Sequence, residues 1–338
     1  MKSGSSQRAV KISLLCGQLL ALAAWSIGSA TAQEQVQLPL PAGPAAAECA
    51  PVTGEASGTV TLKRTFFDDF DKIDFSSNKW TPHYDGGYDQ VSRRWLGYDW
   101  VVKRTAPGIR EQQIYVDPNY RGTAGKSLKL NPFKIDNGIM SITAERVPEE
   151  LENFLGGFQY MSGLLTTRRS FTQMYGYFET RARVPAGPNL VPAFWLLADD
   201  RTWPQELDVM EAPSHVRDTI MSTLHWEEPV GQKNKTACRT PLKGYDQDFH
   251  LYGALWTPER IIYYIDRKPV GQVATPAKFS KPMYMLVNLA VGGTWVGNAT
   301  PATPMPVKFD IDNISAFTMG EPEACVTASN GVKTCQGK

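Results

Sequence analysis

The stretch Tyr175-Gly-Tyr-Phe-Glu-Thr-Arg-Ala-Arg-Val184 alternates polar and apolar side chains with the two-residue period of a pleated strand. Phe178, Thr180, Ala182 and Val184 share the face that belongs in a core. Tyr177, Glu179, Arg181 and Arg183 share the other, a polar and aromatic face of the kind that lines a cleft. Outward from this run, similar β-branched and aromatic segments recur at Thr219–Trp226, Arg260–Ile265 and Tyr284–Ala290, each separated from the next by turn residues. The one helix-like stretch runs from Pro148 to Leu155, a turn or two at most. Many strands with almost no helix specify an all-β fold, an antiparallel sandwich or barrel rather than an α/β fold. No fixed-period repeat is present, which excludes a propeller or solenoid.

The N-terminus has a different character. Lys2, Arg8 and Lys11 precede an apolar stretch from Ile12 to Ile27, small residues follow through Ala30 and Ala32, and no acid occurs before Glu34. This is the pattern of a secretory signal peptide over residues 1–32. The apolar stretch is shorter than the about 20 residues that span a bilayer, and Gly17 and Gln18 interrupt it, so no retained membrane span is expected. Leu15 is too bulky before Cys16 for lipoprotein processing. The whole chain has 338 residues, 35 basic and 34 acidic, for a net charge of +1; loss of the three leader cations takes it to −2. Neither value suits a surface built to cover phosphates, so nucleic acid is not an expected partner. The expected location is secreted or periplasmic.

Four cysteines remain after the leader, and three pairings are open. Cys325 and Cys335 bracket Asn330-Gly331, a hairpin-turn dipeptide, which favours that pair and leaves Cys49 with Cys238 by default. No pair has the spacing or the nearby histidines of a zinc site. Residues 33–58 contain Pro39, Pro41, Pro44 and Pro51 and show no strand or helix period, so they read as a Pro/Ala-rich linker or arm. Residues 59–320 form the main domain, and 321–338 a Cys-containing tail or hairpin.

Function is concentrated in Trp203-Pro-Gln-Glu206-Leu-Asp208-Val-Met-Glu211-Ala. Glu206 and Asp208 project from one face of a strand, whereas Glu211, five residues from Glu206, points the other way in a regular strand. One extra residue at Val209 or Met210, a β-bulge, brings Glu211 round to join them, with Leu207 and either Val209 or Met210 in the core. Like charges crowded on one face repel, so folding alone does not account for them. Calcium binds carboxylate oxygens, but its loops draw on Asp and Asn in Gly-containing turns rather than on inward positions of an apolar strand. Two carboxylates with opposed protonation preferences are what glycoside cleavage requires.

Glu206-Leu-Asp-Val-Met-Glu211 resembles the bulged catalytic signature of glycoside hydrolase family 16, found in laminarinases and related endoglycanases. Five further blocks resemble that family in the expected order: Phe66–Phe70, Tyr175–Pro185, Pro192–Leu197, Phe249–Trp256 with Tyr264–Asp266, and Val287–Gly293 with Trp295. Tyr160–Leu165 and Trp203–Asp208 are particularly similar to secreted bacterial glycanases that trim succinoglycan and related exopolysaccharides. The resemblance covers most of residues 59–320. It implies a jelly-roll β-sandwich of two curved antiparallel sheets with a concave substrate cleft. It also implies Glu206 as nucleophile, Glu211 as general acid then base, and Asp208 as the assisting carboxylate. The implied activity is that of a retaining endo-β-glycosidase cleaving β-1,3/β-1,4-linked glucan or an exopolysaccharide such as succinoglycan by double displacement. A transglycosylase and a non-catalytic polysaccharide-binding protein are the alternatives. No cofactor is required, no metal is assigned to the site, and a structural calcium is compatible but unforced. The expected partner is a polysaccharide bound by a monomer.

Candidate substrate-binding residues follow from the same blocks. Trp203 and Trp295 flank turns beside them and suit stacking on sugar faces; Trp195 divides evenly between cleft and core. His225 falls on the strand after the acids and is expected in the cleft, His215 at its rim, and His250 in a structural place. Asn288 either binds sugar hydroxyls or ties down a loop, and Arg181 either binds substrate or pairs with Glu179. The basic cluster Ser92-Arg93-Arg94-Trp95 with Lys103-Arg104 reads as a solvated loop that could meet anionic substituents, and Asn234 and Asn298 begin glycosylation sequons.

Overall fold

A computed structural model of the chain describes residues 34–84, 88–89, 94–95, 104–200, 202–320 and 325–336. The leader and, of the basic cluster, Ser92, Arg93 and Lys103 lie outside the described residues.

Two sheets face each other. One, of nine strands, runs in the order Lys233–Pro241, Thr219–Glu227, Glu206–Glu211, Leu190–Ala198, Met283–Val291, Phe171–Met174, Lys333–Gln336 and Val326–Thr327, with Leu164–Thr166 also on Met283–Val291. The other has twelve strands, and its centre is His250–Trp256, Gly176–Arg183 and Val307–Thr318. Among the described residues pairing is antiparallel apart from two parallel contacts, Phe171–Met174 with Lys333–Gln336 and Gln113–Tyr115 with Tyr160–Ser162. The helical content around Pro148 is one turn, Glu149–Glu152, followed by a 3-10 turn, Asn153–Leu155.

Alternation explains the core. Phe194, Leu196, Leu207, Leu224, Met285 and Val287 point inward from the nine-stranded sheet and meet Phe178, Ala182, Val184, Ala254 and Trp256 from the other. Met283–Val291 is buried at every position because both of its faces are covered. Its outer face carries Tyr284 and Leu286, which pack with Tyr115 and Leu164 on the side away from the core.

The run from Tyr175 corrects the reading of its polar face. Gly176–Arg183 lies in the twelve-stranded sheet, opposite the sheet that carries the acids. Its second face is core, as the alternation requires, but the face with Tyr177, Glu179, Arg181 and Arg183 is the outer surface of the sandwich. Tyr177 donates to Glu179 at 2.7 Å, and Arg267 grips the same carboxylate with Nε at 3.0 Å and a terminal nitrogen at 2.9 Å. Arg181 therefore does not pair with Glu179 and stands on the sheet opposite the acids. It reaches Asp312 at 3.0 Å and stacks over Phe249, while Arg183 takes Asp310 at 2.5 Å.

The arm is also corrected. Gln35–Pro41 is a strand, paired with the first half of Ala56–Asp68. Val36, Leu38 and Leu62 pack onto Tyr177, Leu255, Ile262, Tyr264 and Phe317, forming a third layer over the outer sheet. Tyr264 donates to the carbonyl of Pro39 at 3.0 Å. Pro39 and Pro41 are tolerated because the strand is an edge, where a missing N–H breaks no ladder. Residues 50–51 then pair with Lys268–Ala274, and Cys49 is bonded to Cys238 of the other sheet, across a sequence separation of 189. Gly271 leaves room there, since a Cβ at that position would meet Cys238 Sγ at 2.8 Å. The second disulfide joins Cys325 to Cys335 across a hairpin whose connection is residues 328–332, longer than a two-residue turn.

If the arm is part of the fold, Leu38→Ala should cost about 2–5 kcal/mol, as for other fully buried leucines. A urea unfolding midpoint unchanged from the parent would restore the linker reading.

Candidate active site

Glu206–Glu211 pairs with Leu190–Ala198 on one side and Thr219–Glu227 on the other. Asp208 lies opposite Trp195 and Met210 opposite Phe194, so Val209 is an extra residue and the register shifts there. Val209 and Met210, neighbours in sequence, are both buried in the core, which a regular strand forbids. The expectation that only one of them would be core is thus corrected, and the bulge itself is present. Ser222 donates its hydroxyl to the carbonyl of Val209 at 2.8 Å, satisfying a group that the bulge takes out of the ladder. Glu206, Asp208 and Glu211 all emerge on the cleft side.

There they line a cleft of about 330 Å3 with Trp195, Trp203, Asn288 and Trp295. The Trp203 indole N–H donates to Glu206 Oε2 at 2.7 Å, and its ring is 51% exposed. His225 Nε2 stands 3.4 Å from Asp208 and 3.8 Å from Glu206. Thr223 donates to Glu211 Oε2 at 3.3 Å. Trp195 donates to Asn288 Oδ1 at 2.7 Å, and Asn288 Nδ2 reaches the Tyr115 hydroxyl at 2.9 Å. Both ends of the Asn288 amide are engaged, so it ties floor to wall. Trp295, 39% exposed, packs edge-on against His215 at 5.7 Å, with His215 at the rim as the sequence suggests. His250 pairs with Asp266 at 2.9 Å, away from the acids.

Burial governs the charges. It pushes the Glu211 carboxyl well above the usual carboxylate range, and Asp208 and Glu206 push it further. Asp208 is likewise driven well up, by burial and then by Glu206. Glu206 is raised by burial too, but His225 and the Trp203 hydrogen bond pull the other way. The acid best placed to ionise is therefore Glu206, and burial opposes the charged form most at Glu211 and Asp208. Glu206, Asp208 and His225 offer donor atoms within 4.8 Å of one another. Two carboxylates and an imidazole fall short of the six to eight oxygens that calcium takes.

Several wall residues carried no sequence signal, because they sit in the segment 83–125, which has no strand or helix period. Tyr84 packs edge-on against Trp195 and Tyr115. Glu111, whose carboxyl is raised by burial, accepts from Ala106 N at 2.9 Å and Gln113 Nε2 at 2.7 Å, fixing the loop that carries Ile109 to the cleft. Arg104, read as part of a solvated loop, is instead buried and bonded to Asp117 at 2.7 Å.

The family model for glycosyl hydrolases family 16 matches residues 125–313, a span that holds all three acids. The chain is 38% identical over 265 residues to an endo-1,3-1,4-beta-glycanase, EglC, of Rhizobium meliloti, covering 76% of this chain and 52% of that protein. It is 30% identical over 211 residues to a beta-glucanase of Rhodothermus marinus, covering 56% of this chain and 71% of that one. The chain belongs to glycosyl hydrolase family 16. An endo-beta-1,3-glucanase of Pyrococcus furiosus has the same architecture, with a TM-score of 0.57 and 26% identity over 76% of this chain and 95% of that one. The chain spans about half the length of EglC. The arm strand and the C-terminal hairpin lie outside the family 16 match.

Two measurements test this electrostatic account. Because Asp208 is harder to ionise folded than unfolded, its stabilising effect is complete in acid and is lost as pH rises from about 4 toward its folded value. Asp208→Asn should thus raise stability by about 0.5–2 kcal/mol at neutral pH, and the gain should vanish near pH 3. Trp203→Phe removes a donor that favours ionised Glu206, so the acid limb of kcat/KM should move to higher pH; an unmoved limb would dissociate Trp203 from Glu206.

Proposed function

We propose that this chain is an exported, retaining endo-β-glycanase that hydrolyses β-1,3/β-1,4-linked glucan or a related bacterial exopolysaccharide, such as succinoglycan, by double displacement without a cofactor. The observation that carries the reading is the set of three crowded carboxylates on one strand face, of which Glu206 alone accepts the Trp203 indole hydrogen bond. Names of relatives that act on such glucans, and the two disulfides, support substrate class and export.

In the first step ionised Glu206, steadied by Trp203 and His225, attacks the anomeric carbon, while protonated Glu211 donates its proton to the departing glycosidic oxygen. The product is a glycosyl ester on Glu206. Esterification removes the Glu206 charge, one of the causes that hold the Glu211 carboxyl high. Glu211, now ionised, takes a proton from water, which attacks the same carbon and releases Glu206. Asp208, buried between them, keeps a proton within the cluster.

Glu206→Ala and Glu211→Ala should abolish cleavage while leaving oligosaccharide binding in place; general acid–base catalysis alone is worth about 10²–10⁴-fold. Proton NMR of fresh products from a panel of laminarin, lichenan, succinoglycan and xyloglucan should show the retained anomer first. Inverted anomers would overturn the roles, and binding without turnover on every member would favour a polysaccharide-binding protein.

A further inference from the structure

Behind Trp203, on the side away from the acids, a second cavity of about 210 Å3 opens at the end of the sandwich. His225 and Trp226 are neighbours on one strand, so they face opposite sides; His225 meets the acids, and Trp226 forms a wall of this crevice. Trp203 lines both cavities and is the partition between them. The remaining apolar wall is Pro204, Pro276 and the buried ring of Phe279, with Val230, 78% exposed, at the rim.

Gln205 contributes an amide to this crevice and is only 7% exposed. Its Nε2 donates to the Lys281 carbonyl at 2.9 Å, which fixes the amide's orientation. Its Oε1 has no partner among the described residues. A buried acceptor left without a donor costs about 1–3 kcal/mol, and the missing donor is what a hydroxyl supplies. The charged residues around the mouth are of both signs, Glu227 and Glu228 against Lys278 and Lys281, and Lys281 is already paired with Asp200 at 2.8 Å. Aromatic walls, one unsatisfied acceptor and balanced charge describe a site for a neutral ring with hydroxyl edges.

We propose that this crevice is a second carbohydrate site, which takes one neutral pyranose unit carried as a side branch of the polysaccharide in the cleft. The inference rests on the polysaccharide reading of the cleft. A branch fits better than a continuing backbone, because Trp203 stands between the two cavities and Trp226, which walls the crevice, faces away from the acids that His225 meets.

The test is calorimetric titration of the full chain carrying Glu211→Gln, with two β-glucan oligosaccharides of equal backbone length, one unbranched and one bearing a single glucosyl branch. The branched compound should bind about tenfold more tightly, the scale of one buried hydrogen bond with its packing. Gln205→Leu and, independently, Val230→Trp, which blocks the mouth from an exposed position, should each abolish that difference. Equal binding of the two compounds by the parent, or a difference that survives in Val230→Trp, overturns the second site while leaving the cleft reading intact. Failure of both compounds to bind the parent overturns the cleft reading and the second site with it.

Discussion

The site depends on one electrostatic constraint. Three carboxylates, Asp208 buried and Glu206 and Glu211 half-buried, crowd a single strand face, where any two ionised together would repel at low dielectric. Much of the local structure manages that conflict. The bulge at Val209 sets the phase of Glu211, Ser222 answers the carbonyl the bulge frees, the Trp203 hydrogen bond favours charge on Glu206, and His225 opposes the effect of burial on both Glu206 and Glu211. The same burial opposes ionisation of Asp208 and Glu211 more strongly than that of Glu206, so the three acids are not equivalent.

The outer sheet handles a buried charge differently. Glu179, 1% exposed, is held by the Tyr177 hydroxyl and by two nitrogens of Arg267. Both of its oxygens are engaged, so this carboxylate is fixed and neutralised by a permanent cation. In the cleft the cation-forming side chain that reaches Glu206 and Asp208, among the described residues, is the His225 imidazole rather than a guanidinium. Contrast between the two sheets separates a carboxylate that holds structure from carboxylates free to exchange protons.

Much of this was legible in the chain. The spacing of Glu206, Asp208 and Glu211 required a bulge, and the period-2 runs gave strands and core faces. Alternation divides a strand into two faces without saying what each will meet, which is why Arg181 was expected in a cleft and lies outside. In the arm, Val36 and Leu38 do alternate with exposed neighbours, but Pro39 and Pro41 mask the pattern. Neither the buried Arg104–Asp117 pair nor the Glu111 clamp leaves a local signature, because both are made by loop residues whose partners and positions are set by tertiary contacts.

The third layer over the outer sheet bears on the order of folding. Gln35–Pro41 emerges early in synthesis, yet the surface it covers includes Phe317. The hairpin it forms with Ala56–Lys63 is local, but it joins the sheet through Val307–Thr318, and the apolar surface it covers is complete only when that strand is in place. Long-range closure of this kind is slow and leaves apolar strands uncovered meanwhile. Completion of the sandwich therefore waits on its last long strand, and in the interval the first strand depends on whatever else in the cell can shelter it.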